Sequence, residues 1–387
     1  MLTRRGWALT IGGIVLAVAG RLLGLLELYV LAAGCWALMA AALVFLATHP
    51  AAIAARRTLT PHRVRAGDDS RVELAVRNQG RRSTPVLELR DPVGGGPRRA
   101  RLLMAPLPAG AEERAHYRIP TEQRGVLVVG PLEARRFDPL CLATRAVVVA
   151  AESELVVYPP MENLLPLPHA PGDDRRGGFR RATAMGATGD DFYALRPWVV
   201  GDDLRQVHWP STARRDELMV RQHDVPWQGR ATIVLDVRSR YHDHESLEQA
   251  VAAAASIAGA SARGGSLLRL ITTDGADTGF GPGAAHLEAI LERLARLEAG
   301  RGELPDLPET SGAMALVVTA DVPAADLSHL ARLGGRPGSL TVVVVSRDAD
   351  PAQHPSPGTR MVVGRGQPLA PVWNRSMAAA GVMRGAG

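Results

Sequence analysis

The run ATIVLDVRSR, residues 231–240, decides how the chain is read. Residues 231–235 are almost continuously apolar, and the run then meets Asp236. A strand that is apolar at consecutive positions is buried on both faces, as the strands of a parallel sheet are. The sequence downstream agrees. SLEQAVAAAASIAGASA (246–262) predicts an Ala-rich helix, SLLRLITT (266–273) a strand and HLEAILERLARLEAG (286–300) an amphipathic helix stopped by glycine. AMALVVTAD (313–321) predicts a strand, DLSHLARLGG (326–335) a helix and SLTVVVVSRD (339–348) a strand. RMVVG (360–364) and PLAPVWNRSMAAAG (368–381) predict a last strand and a last helix. Strands alternating with helices predict a doubly wound α/β sheet over residues 230–387, with ligands expected at the carboxyl ends of its strands. Neither GxGxxG nor GxxxxGK[ST] follows the first strand, so nucleotide binding has no support.

Upstream the pattern changes. RVELAVRN (71–78) and VLELRD (86–91) alternate apolar and polar residues, as half-buried strands do. GVLVVGPLEARRFDPL (125–140) and AVVVAAESELVVYP (146–159) add strands, and AGDD, NQGRR, DPVGGGP and DPL supply turns. Short strands at regular spacing predict an all-β, immunoglobulin-like sandwich over residues 56–159. Residues 160–188, rich in Gly, Pro and charge, read as a solvated linker, with an arginine finger toward an acidic partner as the sharper alternative. That segment and the one after it, 160–229, separate the two domains.

Residues 1–55 are of a third kind. From Trp7 to Thr48 the chain is apolar except for Arg21 and Glu27, long enough for two membrane spans, near 7–26 and 28–48. The apolar run outlasts a signal-peptide core. Arg4 and Arg5 precede the spans and Arg56, Arg57, Arg63 and Arg65 follow them, so both ends are expected in the cytoplasm of a two-span protein of the cell membrane.

The chain has 387 residues, 46% of them hydrophobic and 22% charged, which is globular composition. Its net charge of +6 comes from arginine alone, since the chain has no lysine. Nucleic acid is not expected as a partner, because an arginine bias of this kind accompanies Ala-rich, GC-rich coding. The membrane surface is the other reading of the charge. Cys35 and Cys141 are too far apart in character for a disulfide, and no zinc-ligand spacing exists.

Two places carry candidate chemistry. At the first, Asp236 ends the strand 231–237. In von Willebrand A-type domains the equivalent strand ends in DxSxS, whose oxygens hold a divalent cation. Here Arg238 and Arg240 stand at both hydroxyl positions. A guanidinium beside Asp236 would form an internal ion pair where the metal sits. Thr319 and Asp321 end the strand 313–321 and make up the other half of this degenerate site; no metal and no cofactor are expected. Tyr241-His242-Asp243-His244-Glu245 reads as a solvated loop and helix start.

The second place is GDDFYALRPWVVGDDLRQVHWPSTARRDELMVRQHD, Gly189 to Asp224. It sets Asp190, Asp191, Asp202 and Asp203 against Arg196, Arg205, Arg214, Arg215 and Arg221, with Trp198 and Trp209 among them. Asp202 or Asp203 can cap a short helix LRQVHW, and residues 217–225 alternate as a strand. Arginine forks match carboxylates, so a fixed ion-pair network and a partner-binding surface both fit. His208 near Asp202 is a possible base and its orienter, but no nucleophile context accompanies them.

This segment resembles the signature of the family called domain of unknown function 58. The resemblance rests on Gly189, Phe192, Leu195, Arg196, Trp198, Gly201, Asp202, Arg205, Trp209, Ala213 and Arg214, with Val207 at the aliphatic position and Asp224 where a glutamate is usual. It extends to the hairpin, the β-rich region with its turn Asp138-Pro139-Leu140-Cys141-Leu142, and the von Willebrand A-like part. In that turn Cys141 replaces a glycine. The resemblance implies a non-enzymatic, membrane-bound adaptor with no small-molecule substrate, whose partner is a MoxR-type AAA+ ATPase. Arg196, Trp198, Asp202, Arg205, Trp209 and Arg214 are then the signature or docking residues. The alternatives are a membrane-bound metal-dependent hydrolase using Asp202, His208, Asp236 and Asp321, and an outward-facing adhesin-like envelope protein.

Overall fold

The computed structural model describes residues 2–48, 52–167, 192–198, 207, 209–215, 217–223, 229–300, 312–319, 322–323, 325–326, 328, 340–346 and 359–385. The chain divides into two compact units, Met1–Pro160 with Leu291–Leu297, and Met161–Ile290 with Glu298–Gly387.

The first unit begins with two helices, α1 (Arg4–Leu23) and α2 (Leu26–Thr48), both long and apolar enough to cross a membrane. Thr3 caps α1 by accepting the Gly6 N–H at 3.1 Å. The helix ends at Leu23, three residues before the expected boundary, with Gly24 as its cap. Its φ of 71° lies in the left-handed region open to glycine, and its N–H returns to the Gly20 carbonyl at 2.9 Å.

Ten strands follow: β1 (Ile53–Thr60), β2 (Arg63–Arg65), β3 (Asp69–Asn78), β4 (Leu87–Pro92), β5 (Arg99–Met104), β6 (Glu112–Pro120), β7 (Gly125–Val129), β8 (Leu132–Phe137), β9 (Thr144–Ala150) and β10 (Ser153–Tyr158). They form three sheets, ordered β1-β3-β6, β2-β10-β7 and β5-β4-β8-β9. The alternation in residues 71–78 places Val72, Leu74 and Val76 in a shared core with Leu87, Leu89, Leu132, Leu155 and Val157. Arg57, counted above among the arginines flanking the second span, turns its guanidinium inward onto the buried Asp91 carboxylate.

The turn 138–143 joins helices and sheets within this unit. Asp138 accepts the N–H groups of Leu140 at 3.0 Å and Ala143 at 2.5 Å. Cys141 is the one non-glycine residue with positive φ, 55°, among the described residues. The Thr3 hydroxyl donates to the carbonyl of Cys141 at 2.6 Å. Gly6 packs so closely that a Cβ there would lie 2.1 Å from the Leu142 carbonyl oxygen.

The second unit opens with residues 161–167, which were read as solvated linker and are packed instead. Leu164 and Leu167 are buried. Their backbone bonds go to helices far along the chain. The Glu162 N–H donates to Ser256 Oγ at 2.9 Å, and the Leu165 carbonyl accepts Trp373 Nε1 at 2.8 Å. The Glu162 carboxylate accepts the Leu369 and Ala370 N–H groups, where the last helix begins.

The remaining elements are β11 (Phe192–Pro197), α3 (Trp209–Arg215), β12 (Met219–His223), β13 (Arg230–Leu235), α4 (His244–Arg263), β14 (Leu267–Thr272), α5 (Gly283–Arg296), β15 (Ala313–Thr319), β16 (Leu340–Ser346), β17 (Thr359–Gly364) and α6 (Ala370–Gly385). β11 and β12 pair antiparallel. The five apolar strands form one parallel sheet ordered β14-β13-β15-β16-β17. Val234, Leu316, Val342 and Val344 build a core on one face, and the Ala-rich α4 packs against the sheet. The strand order reverses between β13 and β15, which places a crevice at their carboxyl ends. The expected helix 326–335 lies mostly outside the described residues.

Candidate functional site

β13 delivers Asp236 to the point of reversal, fully buried, with its N–H on the Val317 carbonyl of the neighbouring strand at 3.0 Å. The chain then turns back, so that Arg238 folds onto the carboxylate two residues before it. Arg238 Nε lies 3.0 and 3.1 Å from the two oxygens, and Nη2 lies 2.7 Å from Oδ2. The Arg238 backbone N–H and the Thr273 hydroxyl also donate to Oδ1, at 3.1 and 3.0 Å. Asp236 therefore accepts a full set of donors, and its negative charge is met by the fork of Arg238.

The far side of that guanidinium reaches a second acid. Arg238 Nη1 donates to Asp326 Oδ2 at 2.6 Å. Tyr241 lies beneath, its ring 4.6 Å from Arg238 and 4.8 Å from the Arg240 guanidinium. Burial works against the charge on Arg238, but the bonds to Asp236 and Asp326 outweigh it and hold the group above arginine's usual range.

His242, read above as part of a solvated loop, is buried instead. Burial lowers its pKa against the opposing pull of Asp236. Asp243 caps α4, accepting the Ser246 N–H at 2.9 Å. That bond is the main cause that brings its pKa down to about 2.

The other predicted residues are distributed as follows. Thr319 ends β15 with a buried hydroxyl that has no hydrogen-bond partner. Asp321 lies outside the described residues, and the second acid on the guanidinium is Asp326, which the sequence reading did not single out. Among the described residues, no three of His, Cys, Asp and Glu converge as a metal group would.

In the Gly189–Asp224 segment, Arg196 lies on β11, while Asp202, Arg205 and His208 fall outside the described residues. Trp198 is half-buried, and its N–H donates to the Leu218 carbonyl at 2.7 Å. The helix expected over 204–209 lies mostly outside the described residues, and Trp209 opens α3, Trp209–Arg215. Thr212, also passed over above, explains part of the motif: its hydroxyl accepts the Met219 N–H at 3.0 Å and ties α3 to the start of β12. Trp209 is 64% exposed, and Arg214, five residues on in the same helix, is exposed as well. Exposed tryptophan and arginine are the residue types that most often anchor interfaces.

Residues 194–363 match the family described as Protein of unknown function DUF58. The match runs from β11 to β17 and leaves out the hairpin and the sheets of the first unit. No curated protein matches the chain. Among solved structures, the CARDB domain of a Pyrococcus furiosus protein is similar at 14% identity and a TM-score of 0.22, covering 28% of this chain and 94% of that one. An alkylpurine DNA glycosylase from Pseudomonas fluorescens is similar at 11% identity and a TM-score of 0.20, covering 30% and 32%. A β-glucosidase from Erythrobacter marinus is similar at 15% identity and a TM-score of 0.18, covering 28% and 15%. Scores this low carry no argument about this chain.

Proposed function

We propose that this chain is a membrane-anchored adaptor, with its soluble part in the cytoplasm, that docks a protein partner and does no chemistry itself. The partner class is a MoxR-type AAA+ ATPase, as the family resemblance implies. In this reading the first unit carries an immunoglobulin-like sandwich and the second a von Willebrand A-like domain.

The observation that carries the proposal is the plug at the carboxyl edge of the sheet. Asp236 sits where open α/β sheets place their ligands, and Arg238 fills the cation's place. A carboxylate whose oxygens already accept four donor groups is a poor general base and a poor metal ligand. The hydrolase reading requires that carboxylate to be free. Trp209 and Arg214 on α3 supply an exposed surface of the kind that partners grip. The arginines around the two apolar helices support the cytoplasmic orientation.

The test is crosslinking in native membranes, with the captured proteins identified by mass spectrometry, for wild type beside the Trp209→Ala/Arg214→Glu variant. Both side chains are exposed, so the variant keeps its core. An AAA+ ATPase captured by wild type and lost from the variant is the expected result. Equal capture removes α3 from the docking surface, and the absence of any such ATPase sinks the adaptor reading.

A further inference from the structure

At the base of the helical hairpin one buried arginine has an acceptor for only one of its three nitrogens among the described residues. Arg136 on β8 is 5% exposed. Its Nη2 donates to the Leu46 carbonyl at 2.9 Å, one of the last carbonyls of α2 that have no partner within the helix. That bond places a positive charge at the helix's negative end. The other two nitrogens, Nε and Nη1, are buried with no hydrogen-bond partner among the described residues.

No acid answers the charge among the described residues. Asp138, two residues on, spends its carboxylate on the N–H groups of Leu140 and Ala143. Glu133 on the same strand is taken by Arg135 at 2.9 Å. The residue directly across the ladder is another arginine, Arg145, which is exposed. Like charges placed opposite each other weaken a strand pair. Burial first, and Arg145 second, pull Arg136 below its usual range. A buried cation with free donors and a like-charged neighbour calls for an anion.

The position says which anion. The α1 N-terminus lies at this same end of the hairpin, tied to the 138–143 turn through Thr3, and it brings the exposed Arg4 and Arg5. Trp7 is 57% exposed one turn into α1, and Leu140 is 53% exposed on the turn. Tryptophan and arginine at a span's end mark the headgroup level of a bilayer. We propose that Arg136 and Arg145 form a site for the phosphate of an anionic phospholipid headgroup, which completes the contact between hairpin and sheets. The proposal rests on the membrane anchoring argued above and is independent of any protein partner.

The test uses the purified, delipidated full chain. Thermal midpoints are compared in detergent alone, with phosphatidylglycerol, with phosphatidylcholine and with inorganic phosphate, and native mass spectrometry reads bound lipid. Wild type gains about 3 °C or more with phosphatidylglycerol, retains one such lipid, and gains nothing from inorganic phosphate. Arg136→Met loses both effects. Arg145→Gln changes an exposed side chain, so it folds, and it loses at least half of the shift. Unchanged shifts in Arg145→Gln overturn the proposal, as does a wild type without lipid dependence, whose free nitrogens then bond water. An equal gain with inorganic phosphate overturns the lipid source, and an equal gain with phosphatidylcholine overturns the demand for an anionic headgroup. Insertion into nanodiscs is scored separately. Failure to insert sinks the membrane reading and this site together, whereas insertion without lipid dependence sinks this site alone.

Discussion

Arg57–Asp91 in the first unit and Arg238–Asp236 in the second are the same interaction in two settings. In both pairs the side-chain exposures are 1% and 0%, and the arginine fork grips both carboxylate oxygens. Their surroundings differ. Arg57 spends its remaining donors on the carbonyls of Val129 and Ala151, at 3.0 and 2.7 Å, and on Ser153 Oγ at 3.2 Å. Asp91 also accepts the Tyr117 hydroxyl at 2.7 Å. That pair ties β1 in one sheet to β4 in another, and every group around it is committed to the fold. Arg238 meets Asp326, whose side chain is 28% exposed, and lies over a half-buried tyrosine. One pair is a stitch in an interior. The other is a plug at an edge, closed below and open above. Burial alone does not tell the two apart; the identity of the remaining partners does.

The comparison breaks most readily at the stitch. Asp91→Ala leaves Arg57 buried with a charge and no counter-charge, which costs about 3–5 kcal/mol. Chemical denaturation of the full chain in detergent measures it. A loss below about 1 kcal/mol would mean that Arg57 escapes to solvent and that the pair is no stitch. Asp326→Asn is the matching change at the plug. Arg238 keeps Asp236, and the lost partner is partly hydrated, so the cost is about 1 kcal/mol. A cost as large as that of Asp91→Ala would make Asp326 an interior residue in energetic terms and remove the open side of the plug.

A smaller effect concerns the turn. The left-handed backbone at Cys141 costs a residue with a Cβ about 1–2 kcal/mol, part of which glycine returns as chain entropy on folding. Cys141→Gly should therefore stabilise the chain by about 0.5–1 kcal/mol, visible as a higher thermal midpoint. No gain would mean that the thiol's own contacts compensate.

How much of this was legible in the sequence follows from the range of each interaction. The unbroken apolar run before Asp236 announced a parallel strand, and alternation in residues 71–78 announced half-buried strands, because periodicity is a local property. Arg238 on Asp236 was legible too, since the partners stand two residues apart. Asp326 was not: it is 88 positions from Arg238, and only the folded sheet brings a helical residue after β15 to the end of β13. Arg57 and Asp91, 34 positions apart, were hidden for the same reason. Residues 161–167 misled by composition. The Gly, Pro and charge of the stretch that follows made them read as linker, yet their backbone groups find partners on α4 and α6, and Leu164 and Leu167 are buried. Thr212 was overlooked because a hydroxyl that satisfies one N–H leaves no periodic trace. The partner class was never carried by local chemistry, only by resemblance.

The finest distinction between stitch and plug is their response to pH. Arg57–Asp91 is faced by Tyr117, whose pKa burial and then Asp91 push far upward, away from neutrality. The plug is backed by His242, buried, with Nδ1 3.4 Å from Ser246 Oγ. Burial lowers its pKa, the charge of Asp236, a hydrogen bond to the Asp236 backbone and then the charge of Asp243 oppose this, and Arg238 adds to the lowering. The folded value therefore lies below the unfolded one, near 6.5. A group of this kind contributes stability that is fully present above about pH 6.5 and is lost as pH falls toward the folded pKa, because the unfolded chain takes up the proton first. Asp243, held down to about 2, acts in a separate and lower window. The thermal midpoint of wild type should thus fall as the pH drops below about 6.5, and His242→Gln, which cannot take up that proton, should flatten the fall. If wild type and variant decline in parallel, the histidine does not sense pH, and the open side of the plug is as inert as the stitch.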